Sequence, residues 1–311
     1  MTKFKEKYEE RYKEILGDEY PVFKEAIVRP LAASIRMNSL KIDSSKLLKR
    51  FTEEYGWELE QVPFYKKSYK FTTKKPVVLG NTLEHLLGYF YIQEVASMIP
   101  PVVINPQQDE FILDMAAAPG SKTTQIADMM SNHGGIIANE KSIGRLSALR
   151  MNLQRCGVMN TAVTQMDGKF FKRIDNIKFD KVLLDAPCTG TGAIMKSLYT
   201  LKTWSEKASV KMSNIQKQLM QAAVHVLKPG GTLVYSTCSL EPEEDEMVVD
   251  YALQKLGMTI EKFDINGFKL REGLTSWNGK ELDKKVSYAR RVYPQDNNTE
   301  GFFIAKLRKS K

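Results

Sequence analysis

Cysteine is scarce in this chain, and two of its three copies stand where chemistry is done. Cys188 closes the run Asp185-Ala186-Pro187-Cys188, and Cys238 lies within Ser236-Thr237-Cys238-Ser239. Each follows an apolar stretch that reads as a strand, Lys181-Val182-Leu183-Leu184 before the first and Thr232-Leu233-Val234-Tyr235 before the second. As neighbouring strands of one parallel sheet, both would deliver a thiol to its carboxyl edge, where open α/β sheets hold their ligands. Two thiols and Asp185 at one crevice point to covalent chemistry on a bound base.

The elements that must position them alternate. Before residue 84, a Lys/Glu/Tyr-rich stretch over 2–19 reads as a surface helix, and Ser34–Lys41 as a strand. Asp43 reads as the N-cap of a helix to about Glu54, with strand-like residues from Trp57 to Tyr65. Glu84–Ile99 reads as a helix stopped by Pro100-Pro101. Strand and helix then follow in turn: Glu110–Met115, Ser121–Ser131, Gly135–Glu140, Ser142–Cys156, Thr161–Gln165 and Lys181–Asp185. Ser142 is the expected N-cap of the fourth of these, with Ile143, Leu146, Leu149 and Leu153 as its buried face. A helix through Ile215–Val226 ends at Lys228-Pro229-Gly230-Gly231, followed by a strand at Thr232–Ser236 and a helix at Glu241–Leu256. Two late strands, near 286–292 and 301–307, are expected to pair antiparallel. The fold class is α/β: a doubly wound, Rossmann-like sheet with a small α/β N-terminal domain. The expected division is 1–82 for a small basic RNA-binding module and 83–311 for the catalytic domain.

The first sheet strand runs into Asp114-Met115-Ala116-Ala117-Ala118-Pro119-Gly120-Ser121-Lys122-Thr123. Small residues there let a ligand approach the backbone, and the helix start offers free N–H groups. This is neither the dinucleotide fingerprint nor a Walker A loop. A tight Ala/Gly turn suits S-adenosyl-L-methionine, which has no pyrophosphate to cradle. Glu140 ends the next strand and is placed to accept hydrogen bonds from ribose hydroxyls. Arg145 stands near the same ribose, and Asp167, after the third strand, is within reach of adenine. The expected cofactor-binding set is Ala116, Ala117, Ala118, Pro119, Gly120, Ser121, Lys122, Glu140, Arg145, Asp167 and Asp185.

Composition narrows the partners. Formal net charge is +9 over 311 residues. Residues 1–80 contribute +5 and residues 268–311 contribute +6, leaving the middle slightly acidic. Excess positive charge at both ends suits a nucleic-acid partner or an ordinary solvated surface equally well. Lysines 66, 67, 70, 74 and 75 interleave with Tyr65, Tyr69 and Phe71, a weak signal in the same direction. The cysteines form no C-x-x-C pair, so a metal is not expected. Few cysteines, a charged start and no long apolar run lead to the expectation of a cytoplasmic protein without membrane attachment.

The segments Asp114–Thr124, Asp185–Gly192 and Ser236–Glu246 resemble those of the RNA cytosine-5 methyltransferases of the NOL/NOP/Sun family, archaeal tRNA-acting members included. The similarity covers about residues 34–307, including Arg36-Met37-Asn38-Ser39-Leu40-Lys41 and Gly301-Phe302-Phe303. It implies methyl transfer from S-adenosylmethionine to C5 of cytosine in RNA, through a thiol adduct at C6. It also implies that Cys238 is the nucleophile, that Cys188 assists release, and that Asp185 and Lys122 lie at the reacting base. DNA cytosine-5 enzymes use a Pro-Cys nucleophile instead, so the residues alone leave the two thiol roles open. The motif match places Arg36, Asn38 and Lys41 at the RNA; Arg290, Arg291 and Lys306 are further phosphate-contact candidates. Cys156 reads as a core residue. The expected substrate is tRNA, with ribosomal RNA second. A monomer is expected, with room for a partner protein that selects the substrate. Rival readings are an amino-methyltransferase, a non-catalytic RNA-binding protein and a thiol-redox protein. The first and second do not need both thiols, and the 50-residue separation of the cysteines matches no known redox spacing.

Overall fold

The computed structural model describes residues 4–311. Helices α1 (Glu6–Leu16) and α2 (Tyr20–Ala26) open the chain. Strands β1 (Ser34–Met37), β2 (Glu58–Gln61), β3 (Ser68–Thr72) and β4 (Phe90–Ile92) form a small antiparallel sheet in the order β2-β3-β1-β4. Helix α3 (Ser44–Lys49) begins where expected, with the Asp43 carboxylate accepting from Ser45 N at 2.7 Å. It runs on as a wider turn over 50–54.

The expected helix over 84–99 is not formed. A one-turn α4 (Leu83–Leu86) stops at Gly88, whose φ is +76° and where a Cβ would meet Arg155 O at 1.8 Å. The chain there must approach another backbone closely and turn left-handed, both of which require glycine. β4 follows and pairs with β1, Ile35 opposite Ile92. The small sheet therefore runs past residue 82. Pro100 and Pro101 begin α5 (Ile99–Ile104) rather than stop a helix, because the first turn has no N–H to lose.

The large sheet holds β5 (Phe111–Asp114), β6 (Gly135–Asn139), β7 (Thr161–Thr164), β8 (Phe179–Asp185) and β9 (Leu227–Thr237) as parallel neighbours in the order β9-β8-β5-β6-β7. Antiparallel strands extend the β9 side: β10 (Met258–Glu261), β11 (Arg271–Glu272), β14 (Arg290–Val292) and β15 (Phe302–Lys309), with a separate ribbon of β12 (Ser276–Trp277) and β13 (Lys280–Glu281). The expected late hairpin is present: β14 and β15 pair antiparallel, Arg291 opposite Phe303. β9 already starts at Leu227, so Lys228-Pro229-Gly230-Gly231 is an irregularity inside its ladder with β8 rather than a loop before it.

Helices α6 (Ser121–Met129) and α5 cover one face, where Ile112, Ile126, Ile136 and Val234 meet. Helix α7 (Ile143–Cys156) packs Leu146, Leu149 and Leu153 against Ala138. Ile143 is 75% exposed, not buried, and Ser142 caps through no side-chain bond. The expected face starts one turn too early: the buried residues of the helix begin at Leu146. After the one-turn α8 (Tyr199–Thr203), α9 (Glu206–Val226) and α10 (Glu246–Lys255) cover the other face, packing Leu219, Ala223 and Val248 against Leu184 and Tyr235. The α1 stretch is no free surface helix: Tyr8, Arg11 and Tyr12 are buried beside Trp204 and Leu240.

Candidate functional site

β8 and β9 run parallel, with Asp185 opposite Ser236. The loops that leave them carry the two cysteines, and Cys188 Sγ lies 3.2 Å from Cys238 Sγ. The hydrogen bond to Cys238, followed by burial and the charges of Glu244 and Asp185, pushes the Cys188 thiol well up. Asp185 divides its carboxylate between two partners. Oδ2 takes Lys122 Nζ at 2.7 Å and Oδ1 takes Ser236 Oγ at 2.7 Å. Lys122, on α6, also donates to Ser97 Oγ at 2.9 Å, so its ammonium is aimed at the strand end and not at solvent.

These groups open into a cleft of about 470 Å³. One wall is the β5–α6 turn, with Ala116, Ala117, Ala118, Pro119 and Ser121. Gly120 stands just behind it with φ +104°, against Leu149 Cδ1. Arg145 also lines the cleft; it donates to Ala118 O and stands 3.4 Å from Glu140 Oε2. Glu140 is buried, its Oε1 held by Ser142 N, while Oε2 has no hydrogen-bond donor. Asp114 Oδ1 is likewise buried without a donor, while Oδ2 accepts from Thr123 Oγ1. Burial pushes the Asp114 carboxyl up to about 7, with Asp185 adding and the Thr123 bond opposing. Two buried carboxylate oxygens that accept no hydrogen bond, one of them facing only the Arg145 cation, beside a bare alanine wall fit the hydroxyl and amino groups of an adenosyl ligand. Asp167 lies farther along the same edge, capping a turn and paired with Lys141 at 2.8 Å; it is outside the cleft lining.

Besides Asp114, three charged groups in the cleft were not among the sequence candidates: Glu94, Lys196 and Glu300. Lys196 pairs with Glu300. Glu94 accepts from Ala96 N at 2.7 Å and Glu300 N at 3.2 Å. Burial, with Glu300 adding, pushes the Glu94 carboxyl up to about 7. Glu300 was one residue from the Gly301-Phe302-Phe303 signal, but nothing in the spacing tied it to Glu94.

The basic candidates divide. Arg36 is 1% exposed and turned inward, donating to Gln93 Oε1 and Thr124 Oγ1, both at 2.8 Å. Asn38 is buried and donates to Gly88 O and Cys156 O. Both side chains are buried and turned away from the surface, Asn38 with its amide donating inward and Arg36 with only Nη1 left without a partner. Arg290 and Arg291 are corrected in the same way: Arg291 is buried against Glu246, and Arg290 donates to Phe263 O. Lys306 is held by Glu261 at 2.9 Å. Lys41 alone of the Arg36–Lys41 trio is exposed. Among the described residues no cluster of acids, histidines and cysteines could hold a metal, and no helix is long and apolar enough to cross a membrane.

The 16S rRNA methyltransferase RsmB/F family matches residues 101–308, and the N-terminal domain of 16S rRNA methyltransferase RsmF matches residues 4–95. A tRNA (cytosine(49)-C(5))-methyltransferase of Pyrococcus abyssi is 44% identical over 309 residues, 99% of this chain and 97% of that protein. Ribosomal RNA small subunit methyltransferase F of Vibrio atlanticus is 42% identical over 284 residues, 90% of this chain; the chain spans only 58% of that longer protein. Among solved structures, a methyltransferase homolog from Pyrococcus horikoshii superposes with a TM-score of 0.86 at 39% identity, covering 96% of this chain and 93% of the other. NSun6 from the same organism, solved with SFG, gives 0.86 at 28% identity, covering 100% and 99%.

Proposed function

This chain belongs to the RsmB/F family of S-adenosylmethionine-dependent RNA cytosine-5 methyltransferases, and we propose that it methylates tRNA through a covalent bond between Cys238 and C6 of the target cytosine. The near-complete reciprocal coverage with the tRNA-named Pyrococcus relative supports tRNA over ribosomal RNA. A tRNA substrate fits work in the cytoplasm.

Ala116, Ala117, Ala118, Pro119, Ser121, Glu140 and Arg145 would hold S-adenosylmethionine, with Gly120 behind them and Asp167 at the adenine end. That cofactor supplies an electrophilic methyl carbon. Cytosine C5 is a poor nucleophile, and the chain's task is to change that. The Cys238 thiolate adds to C6, the C5–C6 π pair shifts through C4 toward N3, and C5 becomes enamine-like. Asp185, with Lys122 holding one oxygen and Ser236 the other, faces the ring and orients the Lys122 ammonium, whose positive charge offsets the negative charge that develops there. After methyl transfer a base in the cleft takes the C5 proton, the C5–H electron pair re-forms the C5–C6 double bond, and the C6–S pair leaves with sulfur.

The observation that carries the reading is the 3.2 Å thiol pair at the ends of two parallel strands; the roles, Cys238 attacking and Cys188 assisting release, follow the family motif. The bond to Cys238, burial and the nearby carboxylates push the Cys188 thiol up, which favours its protonated form and so the assisting role. A retained S–H beside the bonded sulfur also serves release, because it stabilises the departing thiolate. C6 is unreachable within a base stack, so the target nucleotide must be extruded into the cleft. The exposed Lys41 and the lysines around β3 offer phosphate contacts.

Methyl transfer from labelled cofactor to bulk tRNA and to ribosomal RNA, with nucleoside mapping, tests this. The expected product is 5-methylcytidine in tRNA. Label in ribosomal RNA alone would move the assignment to the second substrate, and no product in either would favour a binding role.

A further inference from the structure

The contacts around the thiols converge on a residue that the two-thiol chemistry has not used. Glu244 is 0% exposed and lies just before α10. Its Oε2 accepts from Thr189 N at 2.9 Å and from Gln216 Nε2 at 3.0 Å. Its Oε1 accepts from Thr189 Oγ1 and from Ser239 Oγ at 3.0 Å. Thr189 follows Cys188, and Ser239 follows Cys238. Gln216, buried on α9, also donates to Pro187 O at 2.9 Å, on the other side of Cys188. Cys188 is thus held from both flanks, and the same carboxylate holds the neighbour of Cys238.

All four donors are neutral. A carboxylate has about four acceptor sites, and here they are filled. Burying an acid whose partners are all neutral is costly, and a merely packed core would favour an apolar residue at this place. The cost is repaid only if the bonds do something that packing does not, namely fix two loops in one mutual orientation.

We propose that Glu244 is a positioning residue for methyl transfer: by bonding the neighbours of both cysteines, it sets Cys188 against Cys238 at the separation the adduct chemistry needs. The proposal rests on the two-thiol reading above. The Gly192–Gly301 contact closes the loop from its other end, with Gly192 N donating to Cys238 O and Gly301 N donating to Gly192 O. That contact fixes where the Cys188 loop ends, whereas Glu244 fixes where its thiol starts.

The full chain carrying Glu244→Ala, Glu244→Gln or Thr189→Val is compared with the wild type in two assays at pH 8. The first is disulfide formation between Cys188 and Cys238 driven by diamide. Each thiol gives up one hydrogen, one S–S bond forms, and diamide takes up both protons and both electrons to become a hydrazine. The second is single-turnover methyl transfer, with S-adenosylmethionine binding measured alongside. Glu244→Ala should slow crosslinking at least tenfold and turnover on the order of a hundredfold, with cofactor affinity within about twofold of wild type. Glu244→Gln, which keeps one acceptor oxygen, should recover part of both. Thr189→Val should slow crosslinking several-fold. A folded Glu244→Ala protein that crosslinks and turns over at wild-type rates overturns the proposal. If that variant does not fold, unchanged crosslinking in Thr189→Val overturns it instead. Full turnover by Cys238→Ala would defeat the covalent reading, while the crosslinking rates would still report on Glu244.

Discussion

Arg11 Nε lies 2.8 Å from Oε2 of Glu241, so the first helix of the chain reaches the segment that leaves Cys238. The pair is buried at both ends, and Arg11 also bonds Glu243. Tyr12 Oη and Trp204 Nε1 donate to the other oxygen of Glu241, at 2.9 and 3.0 Å. Helix α1 therefore clamps the loop of one cysteine as Glu244 clamps both.

Removing one member of a buried pair leaves the other uncompensated, at a cost of about 3 kcal/mol. Arg11→Met should lower unfolding stability by that order in chemical denaturation. Arg11→Met combined with Glu241→Gln should recover part of the loss, since the orphaned charge is gone. Additive losses in the double variant would show that the two side chains act independently.

The two cysteine variants should fail differently. Cys238→Ala should give neither product nor adduct, because no thiolate reaches C6. Cys188→Ala should accumulate a protein–RNA adduct that survives denaturation, because release has lost its proton donor. A denaturing gel with labelled RNA distinguishes them, and the opposite pattern would exchange the two roles.

Asp114 gives a pH dependence. Its folded-state carboxyl is raised to about 7 from an ordinary 3.8, chiefly by burial. A raised acid favours the folded state in its protonated form, so its contribution is fully present below pH 3.8 and fades as pH rises to about 7. Asp114→Asn should therefore gain stability relative to wild type across that interval and no further above it. The same ionisation should tighten binding of the sulfonium cofactor between pH 6 and 8, by at most about tenfold per unit. Calorimetric titration should show little such gain for S-adenosylhomocysteine, whose sulfur is neutral.

Arg36 and Lys41 separate a structural cation from a phosphate contact. Arg36→Ala should destabilise the fold by about 2–3 kcal/mol, since Gln93 and Thr124 lose a charged, buried partner. The salt dependence of RNA binding by the folded fraction should not change. Lys41→Ala should leave stability within about 0.5 kcal/mol and reduce the salt slope by about one ion. A filter-binding series across salt concentrations reads both.

Much of the sheet was legible because its signals are local. Apolar runs bounded by Gly, Pro and Asp mark β5 to β9, and α6 and α7 begin where those strands end. β4 was not legible, because the left-handed turn at Gly88 answers to Arg155, far along the chain. The buried face of α7 was read one turn too long for a similar reason: periodicity says which residues share a face, and only packing says where that face meets the core.

The candidate site shows the same division. Cys188, Cys238, Asp185 and the Ala116–Gly120 turn could be named from the sequence, since each follows a strand and strand ends of a parallel sheet share one edge. Spacing was silent on Glu244 receiving donors from Thr189, Ser239 and Gln216, on Arg11 reaching Glu241, and on Arg36 turning inward. Side-chain type and local period determine what a residue can do and which element carries it. Which distant partner takes up its charge or its hydrogen bond is decided only when the elements pack, because burial is a property of the assembled interior.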